Sequence, residues 1–237
     1  MTLYEHLLER GLEPTKYHVI IDEEEYIATF LLYDITGKIV GYQRYNPRST
    51  DKKTNDPKLG RYYTYTPRGV DAILGWETDT GTGPLFFVEG VFKQAAVLGA
   101  GFNCVSPLGN DPKRLRPLFR ILRQKRPLFA IGDGDLGGSN LPKRVGAGCQ
   151  SLIDLDEMPV EHVRELCTRL IRSSEGSGCL HPNHIEGDRI PLRYGSAATV
   201  HCVDCDFWAQ ERDLGHKWEK WHAPGTFAGA LIEDDER

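Results

Sequence analysis

The sequence predicts an α/β chain, α+β overall. A mostly parallel sheet flanked by helices is preceded by a small mixed or antiparallel basic subdomain and followed by a small cysteine- and histidine-rich ribbon. Three observations predict this. Across residues 85–170, short apolar runs alternate with amphipathic stretches, the β-α-β order of parallel sheets. Across 26–66, β-branched and aromatic segments separated by turn residues read as strands. Across 179–222, three of the six cysteines stand beside most of the histidines. The expected boundaries are 1–80, 81–172 and 179–237, with the Ser/Gly-rich stretch 173–178 as a linker. No internal repeat is present.

Taken in order, residues 3–10 read as a short helix closed by Gly11. Residues 26–33 and 38–45 read as two strands joined by the turn Asp34-Ile35-Thr36-Gly37, giving a hairpin. The polar stretch 46–60, with Pro47 and Pro57, reads as a loop, and 61–66 as a further strand. After the glycine-rich connection 80–84, residues 85–88 form a buried strand and 91–98 a helix stopped by Gly99 and Gly101. A second strand spans 102–106. Asp111 is expected to cap a helix with Pro112 in its first position, and Leu115, Leu118, Phe119 and Leu122 lie on one face of it. Strands at 128–131 and 150–153 follow. A last helix starts at Pro159 with Val160, Val163, Leu166 and Leu170 on one side.

Composition narrows the function classes. The 237 residues carry a formal net charge of −5, so the chain as a whole is no generic polyanion binder. The charge is segregated, however. Residues 1–34 hold eight acids and two bases, 38–68 hold eight bases and two acids, and 106–127 hold seven bases and one acid. Basic segments on an acidic body suit a nucleic-acid groove. No run of 18 apolar residues exists and the mean hydropathy is −0.43, so no membrane partner is expected. The first residues lack a signal-peptide pattern, and the protein is expected in the cytoplasm, with reduced thiols.

The chemistry sits at strand ends. Glu89-Gly90 follows one buried strand and Asp133-Gly134-Asp135 follows another. In a parallel sheet all carboxyl ends share one edge, so these carboxylates converge there. Converging carboxylates need a cation or a proton, and hard oxygen ligands suit Mg²⁺ or Mn²⁺. Asp154 and Asp156 follow the last strand and extend the cluster. Nearby glycines leave room for a phosphate backbone.

These motifs carry a resemblance. Phe87-Val88-Glu89-Gly90, Ser106-Pro107-Leu108-Gly109 and Asp133-Gly134-Asp135-Leu136-Gly137-Gly138 resemble the TOPRIM domain shared by bacterial and phage primases, topoisomerases and OLD-type nucleases. Upstream, Gly37-Lys38-Ile39-Val40-Gly41-Tyr42-Gln43-Arg44 is similar to the strand with a basic end in the RNA-polymerase domain of primases. Asp56-Pro57-Lys58 followed by Tyr62-Tyr63-Thr64 is similar to their lysine-bearing segment, and Ile73-Leu74-Gly75-Trp76 to their entry into TOPRIM. The resemblance implies a phage-type DNA primase or primase-like nucleotidyltransferase. Such an enzyme makes short RNA primers on single-stranded DNA from NTPs by two-metal-ion phosphoryl transfer. It implies that Glu89, Asp133 and Asp135 bind Mg²⁺ or Mn²⁺ with help from Asp154 and Asp156, and that Arg44 and Lys58 serve catalysis. Arg44, Lys58, Arg61, Arg68 and Lys143 would bind template or nucleotide phosphates. A replicative helicase or another replisome protein is the implied partner, in the host cytoplasm for a phage-encoded chain. The alternatives are a TOPRIM metal-dependent nuclease and a non-catalytic nucleic-acid or replisome-binding protein. One departure stands out: many primases carry an acid four residues after the TOPRIM Glu, and here that position is Lys93.

At the carboxy-terminal end, Cys179-Leu180-His181-Pro182-Asn183-His184 precedes His201-Cys202-Val203-Asp204-Cys205 by about 20 residues, the spacing of a tetrahedral Zn²⁺ ribbon. Cys179, Cys202 and Cys205 are the expected ligands, and the fourth is His181 or His184. Cys104, Cys149 and Cys167 carry no motif, and Cys167 is expected in the core.

Overall fold

The computed structural model describes residues 1–51, 56–109, 111–135 and 137–175, and the backbone of four strands between 184 and 222. Helix α1 (Leu3–Glu9) opens the chain. The Thr2 hydroxyl accepts from Glu5 N at 3.1 Å, and the Glu5 carboxylate accepts from Thr2 N at 2.7 Å. This reciprocal cap satisfies two backbone donors that the helix start leaves free.

Strands β1 (Val19–Asp22), β2 (Ile27–Tyr33), β3 (Ile39–Tyr45) and β4 (Tyr62–Tyr65) form an antiparallel sheet in that order, and β5 (Ile73–Leu74) pairs with β2. The expected hairpin is β2–β3. Strand β1 is not among the expected elements, because the acidic run Glu23-Glu24-Glu25 interrupts the apolar pattern. Those acids make the turn into β2. Asp22 Oδ1 accepts from Glu25 N at 2.9 Å, and Glu23 accepts from Leu3 N and Tyr4 N of α1 at 2.7 and 3.1 Å. One face of this sheet, with Ala28, Phe30, Leu32 and Tyr45, is buried against Leu3 and Leu7 of α1 and against Val91, Phe92 and Ala95.

Those last three belong to helix α2 (Val91–Gly99), which follows β6 (Leu85–Phe87). Then come β7 (Asn103–Val105), α3 (Arg116–Arg123), β8 (Leu128–Asp133), α4 (Asn140–Val145), β9 (Gly148–Ser151) and α5 (Val160–Glu175). The four strands form an all-parallel sheet in the order β7-β6-β8-β9. Successive strand residues point to opposite faces, and both faces are covered, so the strands read as unbroken apolar runs. Phe86, Phe129, Ile131 and Cys149 pack with Val97 of α2 and Val163, Cys167 and Leu170 of α5. Leu85, Phe87, Leu128 and Ala130 pack with Leu118 and Phe119 of α3 and Leu141 and Val145 of α4. Cys104, Cys149 and Cys167 are buried free thiols, so Cys167 lies in the core as expected.

One expectation is corrected. Asp111 does not cap α3, because its carboxylate is taken by Arg144 Nε at 2.5 Å and Lys113 Nζ at 3.1 Å. The first turn there is a short 3-10 segment and α3 begins at Arg116 with Pro117 in its first turn. Helix α4 is also unexpected. It is one and a half turns long and carries Pro142, so its apolar period is too short to register.

Beyond α5, β10 (His184–Leu192), β11 (Gly195–Cys202), β12 (Trp208–Asp213) and β13 (Trp218–His222) form a four-stranded antiparallel sheet in chain order. It stands where the small cysteine- and histidine-rich ribbon is expected.

Candidate functional site

In the parallel sheet β6 and β8 are neighbours, and their connections leave toward opposite faces. Helix α2, after β6, contributes to the Phe86 face, and α4, after β8, to the Phe87 face. Adjacent parallel strands that diverge in this way open a crevice at their carboxyl ends, where open α/β sheets bind ligands. Glu89 stands two residues past the end of β6, and Asp133 is the last residue of β8. Asp154 follows β9, the next strand out, so Asp133 lies between the other two.

The backbone around Asp133 is held tightly. Buried Gln150 donates its amide to Asp133 O and to Asp135 O, both at 2.7 Å. A Cβ on Gly138 would lie 1.9 Å from Asp133 O, so the chain can fold back over Asp133 only with glycine at 138. The Glu89 carboxylate accepts weakly from Asp133 N, at 3.4 Å. Burial, reinforced by the charge of Asp133, pushes the Glu89 carboxyl up to about 7. Asp135 is exposed, and its Oδ1 accepts from Gly138 N at 2.7 Å.

A cation is already built into this edge. Lys93, in the first turn of α2, donates its ammonium to Asp133 Oδ1 and lies 3.0 Å from Asp154 Oδ1, with its side chain 15% exposed. Burial alone would make the ammonium give up its proton more readily, but the two carboxylates outweigh it and hold the proton more firmly than usual. The sequence does not disclose the reach of Lys93 to both acids. Its only signal is a lysine one helical turn past Glu89.

Asp156 is not brought to the edge. Its carboxylate pairs with Arg10, whose guanidinium also lies 3.9 Å from the centre of the Phe92 ring. The pair fastens the end of α1 to the parallel sheet's flank. Among the described residues, no three His, Cys, Asp or Glu side chains are grouped as a ready-made metal cage. Glu89 and Asp133 nonetheless fit a hard divalent cation. They are oxygen donors at a strand-end crevice, and an ion such as Mg²⁺ needs only one or two carboxylates when waters and substrate phosphates complete its shell.

The basic residues lie on and beside the antiparallel sheet, apart from Lys143, which is exposed on α4. Arg44 donates to Pro57 O at 3.2 Å, tying β3 to the turn that carries exposed Lys58. Arg61 donates to Ser49 O at 2.7 Å, and Arg68 is exposed. The register Tyr42↔Tyr65 and Arg44↔Tyr63 places Tyr42, Arg44, Tyr63 and Tyr65 together on the face that α1 and α2 do not cover. The rings of Tyr42 and Tyr65 stack 5.4 Å apart, and Tyr63 lies 6.3 Å from Tyr42. Sequence reasoning passes over this aromatic face, although alternation in Tyr62-Tyr63-Thr64-Tyr65 is its signal.

Of the carboxy-terminal candidates, His184 and Cys202 are register partners in β10 and β11. Cys179, His181 and Cys205 lie outside the described residues. No helix among the described residues is long and apolar enough to cross a membrane.

No protein-family model matches the chain, and no curated protein matches it in sequence. Solved structures do match in fold. A DnaG catalytic core aligns with a TM-score of 0.50 and 15% identity, over 69% of this chain and 69% of that one. The E. coli primase catalytic core aligns at 0.45 and 15%, over 70% and 62%. The primase fragment of the bacteriophage T7 primase-helicase protein aligns at 0.44 and 13%, over 60% and 61%. The chain thus spans less than two thirds of the latter two. At such identities the likeness is one of fold: this chain has the mixed α/β architecture of a primase catalytic core, an antiparallel sheet followed by a parallel one.

Proposed function

We propose that the chain is a primase-like nucleotidyltransferase that joins ribonucleotides into short primers on single-stranded DNA. The observation that carries this reading is the placement of Glu89 and Asp133 across the β6–β8 crevice, in a fold shared with a primase catalytic core. In such a reaction a 3′-hydroxyl attacks the α-phosphorus of a nucleoside triphosphate and pyrophosphate leaves. Glu89 and Asp133 would hold Mg²⁺ or Mn²⁺, with Asp135 and Asp154 at the rim of the site. The bound ion would supply positive charge to the attacking hydroxyl and the departing pyrophosphate.

The chain's own residues do the remaining work. Gln150 and the glycine turn at 137–138 fix the Asp133 backbone, so its carboxylate is placed before substrate arrives. Exposed Lys58 offers positive charge to phosphates as a point donor, and Arg44 and Arg68 can grip phosphate oxygens in pairs. Tyr42, Tyr63 and Tyr65 offer π-faces on which template bases can stack, beside Arg44. A DnaG primase catalytic domain has been solved bound to ssDNA. In the carboxy-terminal sheet, Cys202 and His184, opposite each other in register, would hold Zn²⁺ with Cys179 and Cys205. A replisome protein is the partner this reading implies.

The test is incubation of the full chain with single-stranded DNA, labelled NTPs and Mg²⁺ or Mn²⁺, beside Asp133→Ala. Short labelled RNA that disappears in the variant supports the reading. Cut DNA without RNA synthesis would replace it with a nuclease, and bound DNA with neither product would leave only a binding protein.

A further inference from the structure

Lys93 is the one feature of the carboxylate edge that the proposed chemistry does not require. It sits on α2, whose other residues apart from Gln94 are apolar or small, and Glu89 stands two residues before that helix begins. A lysine here could have extended into solvent. Instead its ammonium is largely buried and placed between Asp133, at the end of β8, and Asp154, three residues past the end of the neighbouring β9. An ammonium with three donors and no acceptor has no use in such a place except to offset negative charge. The volume between these two carboxylates is therefore filled by a covalently attached cation.

We propose that Lys93 stands in for a divalent ion on the Asp133–Asp154 side, so that this edge takes up one divalent ion, with Glu89 and Asp133 as its protein ligands, where a pair would otherwise bind. The inference rests on the functional reading above for the identity of the ion site. Its physical basis is charge and space. Four acids, Glu89, Asp133, Asp135 and Asp154, border the edge, and Lys93 removes one unit of their charge between Asp133 and Asp154. A second divalent ion between Asp133 and Asp154 would have to displace the ammonium or sit against it, and like charges at contact distance repel strongly where water is partly excluded. The ion near Glu89 meets this repulsion in weaker form: Glu89 has no cationic partner within ion-pair distance among the described residues, although the Lys93 charge still reaches it. The consequence for the reaction is that one of the two positive charges usual in phosphoryl transfer is permanent and independent of metal concentration.

The experiment is titration of Mn²⁺ into the full-length chain, with free Mn²⁺ read by electron paramagnetic resonance. Glu89→Gln serves as the reference, so that ions bound elsewhere cancel. Wild type should bind one ion more than Glu89→Gln. Lys93→Glu, which converts the ammonium into a further ligand, should bind two more. Lys93→Met keeps the length and loses the charge, and should bind Mn²⁺ at least tenfold more tightly than wild type. Circular dichroism confirms that each variant is folded, and Lys93→Met suffices alone if Lys93→Glu is not. Two Glu89-dependent ions in wild type, none at all, or unchanged binding in Lys93→Met would each overturn the proposal. Primer synthesis measured on the same preparations separates the two readings. One ion without RNA synthesis leaves the proposal standing and removes the catalytic reading, whereas two ions with RNA synthesis does the reverse.

Discussion

Glu89→Gln should stabilise the folded chain at alkaline pH and leave it unchanged at acid pH. Burial beside Asp133 raises the Glu89 carboxyl from 4.5 to about 7. A carboxyl whose proton is held more tightly in the folded state contributes stability that is fully present below the unfolded value and is lost as pH rises through the folded one. The window is therefore about 4.5 to 7. A tenfold change in proton affinity is worth ~1.4 kcal/mol, so the tighter hold on this proton amounts to roughly 3 kcal/mol. Glu89 is partly exposed, and water screens it, which reduces the figure to about 2 kcal/mol. Glutamine matches the neutral acid in shape and never ionises. In metal-free buffer, urea unfolding at about pH 8 should show the variant more stable by about 2 kcal/mol, and at about pH 5 the two proteins should differ by less than about 1 kcal/mol. Equal stability at both values, or a gain confined to acid pH, would refute the idea that a half-buried carboxylate beside Asp133 strains this edge.

Other outcomes follow from the same geometry. Asp79 and Arg126 pair in two-point fashion, each 7% exposed, so Asp79→Ala should cost about 3–5 kcal/mol in urea unfolding by leaving a buried guanidinium unpaired. Loss below about 1 kcal/mol would mean that water reaches Arg126. Replacing both Tyr42 and Tyr65 by alanine should weaken single-stranded DNA binding by about tenfold or more in fluorescence anisotropy, since stacking is worth roughly 1–3 kcal/mol per base. Unchanged affinity would place the strand elsewhere. Elemental analysis should find about one zinc per chain, lost in Cys202→Ser. Its absence from protein prepared without chelators would remove the zinc reading.

The parallel sheet and the acids at its edge are legible in the sequence because both depend on local pattern. Runs such as Leu85-Phe86-Phe87 are apolar throughout only where both faces are covered, and Glu89 and Asp133 stand directly after such runs. The amphipathic face of α3 is equally clear. What the sequence hides depends on distant partners. Asp111 has the sequence context of a cap, yet Arg144, 33 residues away, holds its carboxylate. Asp156 looks like a further acid for the edge, but Arg10 claims it across 146 residues. Strand β1 hides behind three acids at the turn that follows it, of which Glu23 holds the start of α1. The same holds for Lys93: its position after Glu89 is plain in the sequence, but its bonds to acids 40 and 61 residues onward belong to the tertiary structure.

If the crevice between β6 and β8 joins nucleotides, the chemical identity of its product decides the matter. The purified chain is given single-stranded DNA, all four NTPs and Mn²⁺, and what it makes is determined by mass spectrometry. Short RNA with a 5′-triphosphate, complementary to the template and absent with Asp133→Ala, is the expected result. DNA fragments with no RNA, or RNA formed equally by Asp133→Ala, would contradict a nucleotidyl-transfer site at this crevice.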